Sequence, residues 1–261
     1  MIRSMGTKPI IALAMASMLA GGCATGPKED PYVLYRELMP RSILVLPPIN
    51  ESVDVNATYS WLTTASEPIG EKGYYVFPVA IVDEFLKENG LPNPEDMHAA
   101  PLDKLDEVFG ADAVLYVTVE DYGQKFKLVS SDTVVRARAE LVDIKSGQSI
   151  WKNRVNYSHS GSGSQQSGLL AAIVVAAVEQ AGNTINDAAH DATRFANAEL
   201  LDSRFRGLLL GPLNPGFEEQ MAAAAEAEAA AAAEAEAAAE AEAAAGAEEA
   251  TAAESGDAAT D

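Results

Sequence analysis

The sequence predicts an α/β (α+β) domain: a mixed sheet of about five to six strands with strand–helix–strand units, a C-terminal antiparallel hairpin and a long C-terminal helix. Three observations predict it. Apolar runs alternate with proline-to-glycine amphipathic segments over 43–119, the order of crossover units that pair strands in parallel. The apolar period then shortens to two over 135–157, the pattern of strands with one wet face. Finally, apolar residues continue from the 169–178 run through Leu200 and Leu201, which extends a helix.

Residues 43–46 are continuously apolar and closed by Pro47-Pro48, as in a central strand buried on both faces. Asp54 can cap a helix on which Tyr59, Leu62 and Ile69 share a face. Gly73 leads into a second strand over 74–77. Pro78 suits the first helical position of a segment whose inward stripe is Val82, Phe85 and Leu86, stopped by Asn89-Gly90. A second such unit opens at Pro101, lines one face with Leu102, Leu105, Val108 and Phe109, and closes at Gly110. Residues 114–119 form the third core strand.

After Tyr122-Gly123, Val135, Ala137, Ala139 and Leu141 alternate with Arg136, Arg138 and Glu140. A turn at 145–148 returns the chain through Trp151, Val155 and Tyr157. The solvent face of this hairpin carries Arg136, Arg138, Lys152 and Arg154, a four-residue cationic group that reads as a solvated strand face ahead of a contact for an anionic partner. Residues 158–168 read as a flexible connector. The ten apolar residues 169–178 must be buried, on the sheet or against a second copy, because ten helical residues rise only about 15 Å and cannot cross a membrane.

The two ends of the 261-residue chain differ in kind from this middle. Arg3 and Lys8 precede a twelve-residue apolar stretch, 9–20, too short to span a bilayer and typical of an export signal. It ends Leu19-Ala20-Gly21-Gly22-Cys23, and the single cysteine of the chain stands where a lipoprotein signal peptidase would cut. Leu19 lies one place further from Cys23 than the strongest such pattern. A diacylglyceryl group on the Cys23 sulfur, with a palmitate-type chain on the new amine, would anchor the protein durably where one chain binds only marginally. The resemblance to lipoprotein signals carries a sorting rule, in which aspartate after the cysteine retains the protein in the inner membrane, so Ala24 implies the outer membrane.

At the other end, no basic residue follows Arg206, and thirteen acids lie between Glu218 and Asp261. Without them the net charge of −21 becomes −8, from 26 acids against 18 bases, so the acidity belongs to an appendage. Alanine and glutamate favour a helix up to Gly246, but like charges repel and there is no apolar stripe beyond alanine methyls. A fluctuating helix or an acidic brush is expected. The divisions are therefore 1–22 signal peptide, 23–31 lipidated tether, 32–217 single globular domain and 218–261 tail.

Composition removes several functions. No Lys/Arg cluster is available to neutralise phosphates, which argues against nucleic acid. One cysteine excludes an intrachain disulfide and cysteine-based zinc sites. There is no G-x-S-x-G elbow, Walker A loop or dinucleotide fingerprint; Gly161-Ser162-Gly163-Ser164 lacks the lysine and the strand-to-helix setting of a phosphate loop. His98, His159 and His190 are widely spaced. Asp83-Glu84, Asp103 and Asp106-Glu107 read as solvated helix faces rather than a glycosidase pair. No catalytic residue, cofactor or metal is expected. Tyr32, Tyr35, Tyr59, Trp61, Tyr74 and Tyr75 crowd the first third of the domain and form a candidate contact surface, since tyrosine and tryptophan join apolar area to a polar tip.

The segments YRE (35–37), PRSILVLPPIN (40–50), GYYVFPV (73–79), GADAVLY (110–116) and SGLL (167–170) resemble a lipoprotein family of Gram-negative bacteria defined by a domain of unknown function, of the vaccine-antigen-candidate type. The resemblance runs from about Pro31 to Pro212 and does not include the tail. It implies a fold similar to the N-terminal domain of TolB and to the curli-secretion lipoprotein, and outer-membrane attachment; the domain is expected to face the periplasm, with exposure at the cell surface also compatible. It also implies association with other envelope lipoproteins or outer-membrane proteins, and it supplies no catalytic residues. The expected function is a non-enzymatic adaptor or assembly component acting through the aromatic region or an exposed sheet edge; a homo-oligomer is also compatible. The alternative is a periplasmic small-ligand or peptidoglycan-binding module with a pocket near Pro47, Pro48 and Asn50. A hydrolase ranks third.

Overall fold

A computed structural model describes residues 30–126, 131–161, 178–203 and 206–256. The signal segment, Cys23, most of the tether and the apolar run over 169–177 lie outside the described residues.

The mixed α/β class holds. In chain order the elements are α1 (Val33–Leu38), β1 (Ser42–Val45), β2 (Ile49–Asn50), α2 (Ala57–Glu71), β3 (Tyr75–Val76), α3 (Val79–Glu88), α4 (Pro94–His98), α5 (Leu102–Phe109), β4 (Ala113–Phe126), β5 (Ser131–Asp143), β6 (Ser149–Gly161), α6 (Val178–Asp202) and α7 (Phe217–Gly256). One six-stranded sheet has the order β3-β1-β4-β5-β6, with β2 also pairing β4. β1 runs parallel to β3 and β4, and β2 is parallel to β4, whereas β4-β5-β6 is antiparallel.

The apolar run 43–46 is buried on both faces because helices cover both sides there. Ile43 and Val45 join a large core under α1, α2 and α6, while Leu44 and Leu46 join a second core under α3, α4 and α5. The α6 residues Ala189, Ala192, Ala196, Leu200 and Leu201 are buried, so this part of the helix packs on the sheet. Its small alanines let the helix lie close to β5 and β6. Among the described residues the second helical layer covers only the β3-β1-β4 half, and the same face of β5 and β6 carries no helix.

Several elements differ from expectation. β4 continues through Tyr122-Gly123, where Gly123 adopts φ 103°, and β6 reaches Gly161 rather than ending near Tyr157. Cross-strand hydrogen bonding carries the ladder through residues whose composition alone reads as a connector. A register shift between Val119 and Asp121 re-aims the side chains at that point. Conversely, β3 keeps only two residues because it is the outermost strand beside β1. α2 begins at Ala57, with Asp54 accepting from the Asn56 N–H in the preceding turn rather than capping the helix directly. α6 runs unbroken through Gly182-Asn183. α7 extends to Gly256, past Gly246, as a helix roughly 60 Å long. Its base is held by Gln220, whose side-chain oxygen accepts from Leu210 N–H at 2.7 Å.

The start of β1 and β4 defines one end of the molecule. There the Asp112 carboxylate accepts from the N–H groups of Arg41 and Ser42 and from the Ser42 hydroxyl. In the segment before α1, Tyr32 donates to the Gly207 carbonyl at 2.8 Å. The turn before α2 meets the far stretch of β4, where Asp54 lies against Gly123.

Candidate functional site

The six aromatics singled out by sequence do not form one surface. Tyr35, Trp61 and Tyr74 are buried, which removes them from the contact set. Each fills the large core, where the apolar area of the ring is worth more than an exposed contact. Burial pushes the Tyr35 phenol well above its ordinary range, and that of Tyr74 likewise. Tyr32 is half-buried and stacks on Tyr35 at 6.2 Å. Tyr59 and Tyr75 are about half exposed, at 50% and 53%. Tyr59 accepts from the Lys87 ammonium at 2.8 Å, and the same lysine binds Asp83.

Tyr75 instead begins a row of rings that sequence reasoning assigned elsewhere. It meets Phe77 edge-on at 5.1 Å, Phe77 meets Phe109 at 6.1 Å, and Phe109 meets Phe85 at 5.5 Å. Phe85 and Val108, which helical spacing places on the inward stripes, are both exposed. Helical spacing could not separate them from Val82, Leu86 and Leu105, because a short helix at the rim of a sheet buries a narrower stripe than its apolar residues span.

The cationic group of the hairpin is neutralised within the sheet. Arg136 bonds Asp121, Lys152 bonds Glu140 at 3.0 Å, and Arg138 reaches Glu51 at 2.8 Å and Glu120 at 2.9 Å. Arg154 shares Glu120 at 3.3 Å. Asp121 is partly desolvated, which pushes its carboxyl up, yet the bonds from Lys125 and Arg136 hold it below the usual range. An open groove of about 480 Å³ lies on this face, lined by Tyr116, Thr118, Arg138, Lys152, Arg154 and Arg206 among others.

The groups that could line a pocket after the first strand are engaged within the fold. Pro47 and Pro48 are buried. The His98 Nε2–H donates to the Pro47 carbonyl at 2.9 Å, Thr58 donates to the Pro48 carbonyl, and Asn50 bonds Ser52 and Asp54. Burial pushes the His98 imidazole below its ordinary pKa, against the opposing pull of the Pro47 bond and Glu95.

His190 Nδ1 comes within 3.3 Å of the Ser60 hydroxyl, which also bonds the Tyr122 hydroxyl at 2.8 Å. This pairing resembles part of a nucleophile–base arrangement. Ser60 is inside α2, however, and its own N–H is donated to the Asn56 carbonyl, so it offers no N–H to a developing oxyanion. His159 lines a separate groove with Tyr157 and Phe195. Among the described residues no group of three or more His, Cys, Asp or Glu is placed to hold a metal ion.

A family model described as "Putative lipoprotein GNA1162-like" matches residues 30–213. The chain is 42% identical over 208 residues to "Putative lipoprotein NMB1124/NMB1162" of Neisseria meningitidis serogroup B, covering 78% of this chain and 96% of that protein. Among solved structures, the crystal structure of lipoprotein GNA1162 from Neisseria meningitidis shares 46% identity, covers 55% of this chain and 99% of its own, and has a TM-score of 0.46. A PelC dodecamer from Paraburkholderia phytofirmans shares 16% identity over 70% of this chain and 94% of its own, with a TM-score of 0.36. With a family model matched across the globular region and a relative of this identity, the chain belongs to the GNA1162-like lipoprotein family.

Proposed function

We propose that the protein is an outer-membrane lipoprotein, acylated at Cys23 and facing the periplasm, that acts as a non-enzymatic adaptor for other envelope proteins. Membership of a lipoprotein family supports the anchor, and the export signal with its one cysteine supplies the attachment point. Only six residues separate Cys23 from Asp30, so the tether reaches at most about 25 Å and holds the domain close to the leaflet. The observation that carries the adaptor reading is β6. Among the described residues this thirteen-residue strand ends the sheet and pairs only with β5, and it exposes Asn156 and Ser158. An edge of unpaired backbone groups binds an extended segment by strand addition.

A photo-cross-linker at Ser158 of the full-length protein, in membranes of the native host, tests this. Discrete protein adducts in the outer-membrane fraction are expected, together with acyl groups on a mature chain beginning at Cys23. Adduct-free membranes, or an unmodified Cys23 thiol in them, would overturn the reading.

A further inference from the structure

We infer that the outer surface of α3 and α5, next to β3, is a docking site for a basic amphipathic segment of a partner protein. The inference deepens the adaptor reading by giving the chemistry of a partner, and it concerns the opposite end of the sheet from β6. Its first support is the continuous row Tyr75–Phe77–Phe109–Phe85, four rings in successive edge-to-face contact. Tyr75 and Phe85, at the two ends, are exposed. Ile81, one turn before Phe85 on α3, is 66% exposed, and Val108, adjacent to Phe109, is 51% exposed. Apolar side chains gathered in this way on a charged surface mark an interaction site, whereas scattered ones need no explanation.

The second support is charge. Residues 79–109 carry eight carboxylates and two lysines. Both lysines are held within their own helices, Lys87 by Asp83 and Lys104 by Glu107, each at 2.7 Å. The remaining acids include Glu84 and Glu88, which flank Phe85 and are exposed, and Asp106, one turn before Phe109. An apolar row bordered by carboxylates fits a segment with aromatic or aliphatic anchors and Lys or Arg alongside them. The same border disfavours other occupants. Anionic headgroups would be repelled, two copies meeting face to face would oppose like charges, and the chain's own α7 is acidic throughout.

The test uses the full-length protein in neutral detergent and a fluorescent sixteen-residue amphipathic helix bearing Leu and Trp on one face and Lys and Arg on the other. A charge-reversed peptide with Glu in place of the basic residues serves as its counterpart. Saturable binding of the basic peptide is expected, weakened roughly 10-fold by F85A and by the charge reversal E84K/E88K. E84K/E88K should also raise binding of the acidic peptide. Both sites are exposed, and an unchanged melting temperature shows that the fold is kept. Binding of the basic peptide that ignores all three substitutions would overturn the inference, since that places the peptide on the acidic tail; so would no saturable binding. Loss of this site with Ser158 adducts intact would reject the docking surface and leave the adaptor standing. Loss of the adducts with peptide binding intact would do the reverse.

Discussion

The hydroxyls of Tyr35 and Tyr74 lie 2.9 Å apart inside the large core, and the Tyr74 hydroxyl donates to the Leu209 carbonyl at 2.9 Å. Tyr74 has one hydrogen and uses it on Leu209, so Tyr35 is the donor of the pair. The relay ties α1, the start of β3 and the segment leading to α7 into one unit.

The two tyrosines should therefore respond unequally to loss of the hydroxyl. Y35F leaves the Tyr74 hydroxyl bonded to Leu209 and should cost about 1 kcal/mol. Y74F strands the buried Tyr35 hydroxyl and the part-buried Leu209 carbonyl, and should cost about 2–3 kcal/mol. In a chain of this size the larger loss lowers Tm by roughly 4–10 °C. Thermal unfolding of both variants checks the order, and equal losses would reject the relay.

Stability should also fall as pH drops below the ordinary histidine range, through His98. Burial depresses its folded pKa below the unfolded value of 6.5. A group with a depressed folded pKa contributes stability that is complete above the unfolded pKa and is lost as pH falls through the folded one. The relevant window thus opens at about pH 6.5 and extends downward. Asp121, also depressed, acts in a separate window below its unfolded value of 3.8. Replacing the imidazole by H98Q keeps a donor toward the Pro47 carbonyl and removes the titration. Tm measured from pH 7 to ~5 should decline less steeply in H98Q than in the parent protein, and identical slopes would count against the His98 account.

Much of this fold is legible in the sequence because its signals are local. The doubly buried run 43–46 and the alternation of Val135, Ala137, Ala139 and Leu141 report burial patterns that the structure repeats, and the Pro-to-Gly segments before Gly90 and Gly110 form the expected helices, although Phe85 and Val108 turn outward. What could not be read was set by neighbours distant in sequence. Nothing near Ser158 announces that β5 will carry β6 on to Gly161, and nothing near Tyr75 announces an edge position. The candidate surface suffered for the same reason. Tyr35, Tyr74 and Tyr75 are alike in composition and adjacent motifs, yet the pleat sends Tyr74 inward and Tyr75 outward. Phe77, Phe85 and Phe109 come together only once α3 and α5 lie side by side.

Glu120 should be the keystone of the charge ladder on the open face. Arg138 and Arg154 are direct partners across β5 and β6, where like charges repel, and Glu120 bonds both. E120Q should cost about 1 kcal/mol at low salt and less at high salt, because the remaining repulsion is screened. The double variant E120Q/R154Q should recover part of the loss. Denaturant unfolding at two ionic strengths checks this; a cost independent of salt and of Arg154 would mean that the two arginines do not share Glu120 in solution.

Gly73 should be the position least tolerant of a single added methyl group. Its φ of 89° already strains any L-residue, and a Cβ there would run into the backbone N and the Cβ of Asn214. That contact is part of a clasp. Gly211 N–H donates to the Lys72 carbonyl, Leu213 N–H to the Gly73 carbonyl, and the Asn214 side chain to the Glu71 carbonyl at 3.0 Å. The clasp fastens the segment on which α7 is mounted to the end of α2. G73A should cost about 2–4 kcal/mol globally, with the strain added to the clash. It should also raise amide exchange over 207–216 ahead of the strands, because displacing Asn214 undoes the clasp before it reaches the sheet. Hydrogen exchange followed by mass spectrometry reads both effects. If exchange rose in β4 and β5 to the same extent as in 207–216, the clasp would not be a separate unit and α7 would be integral to the core.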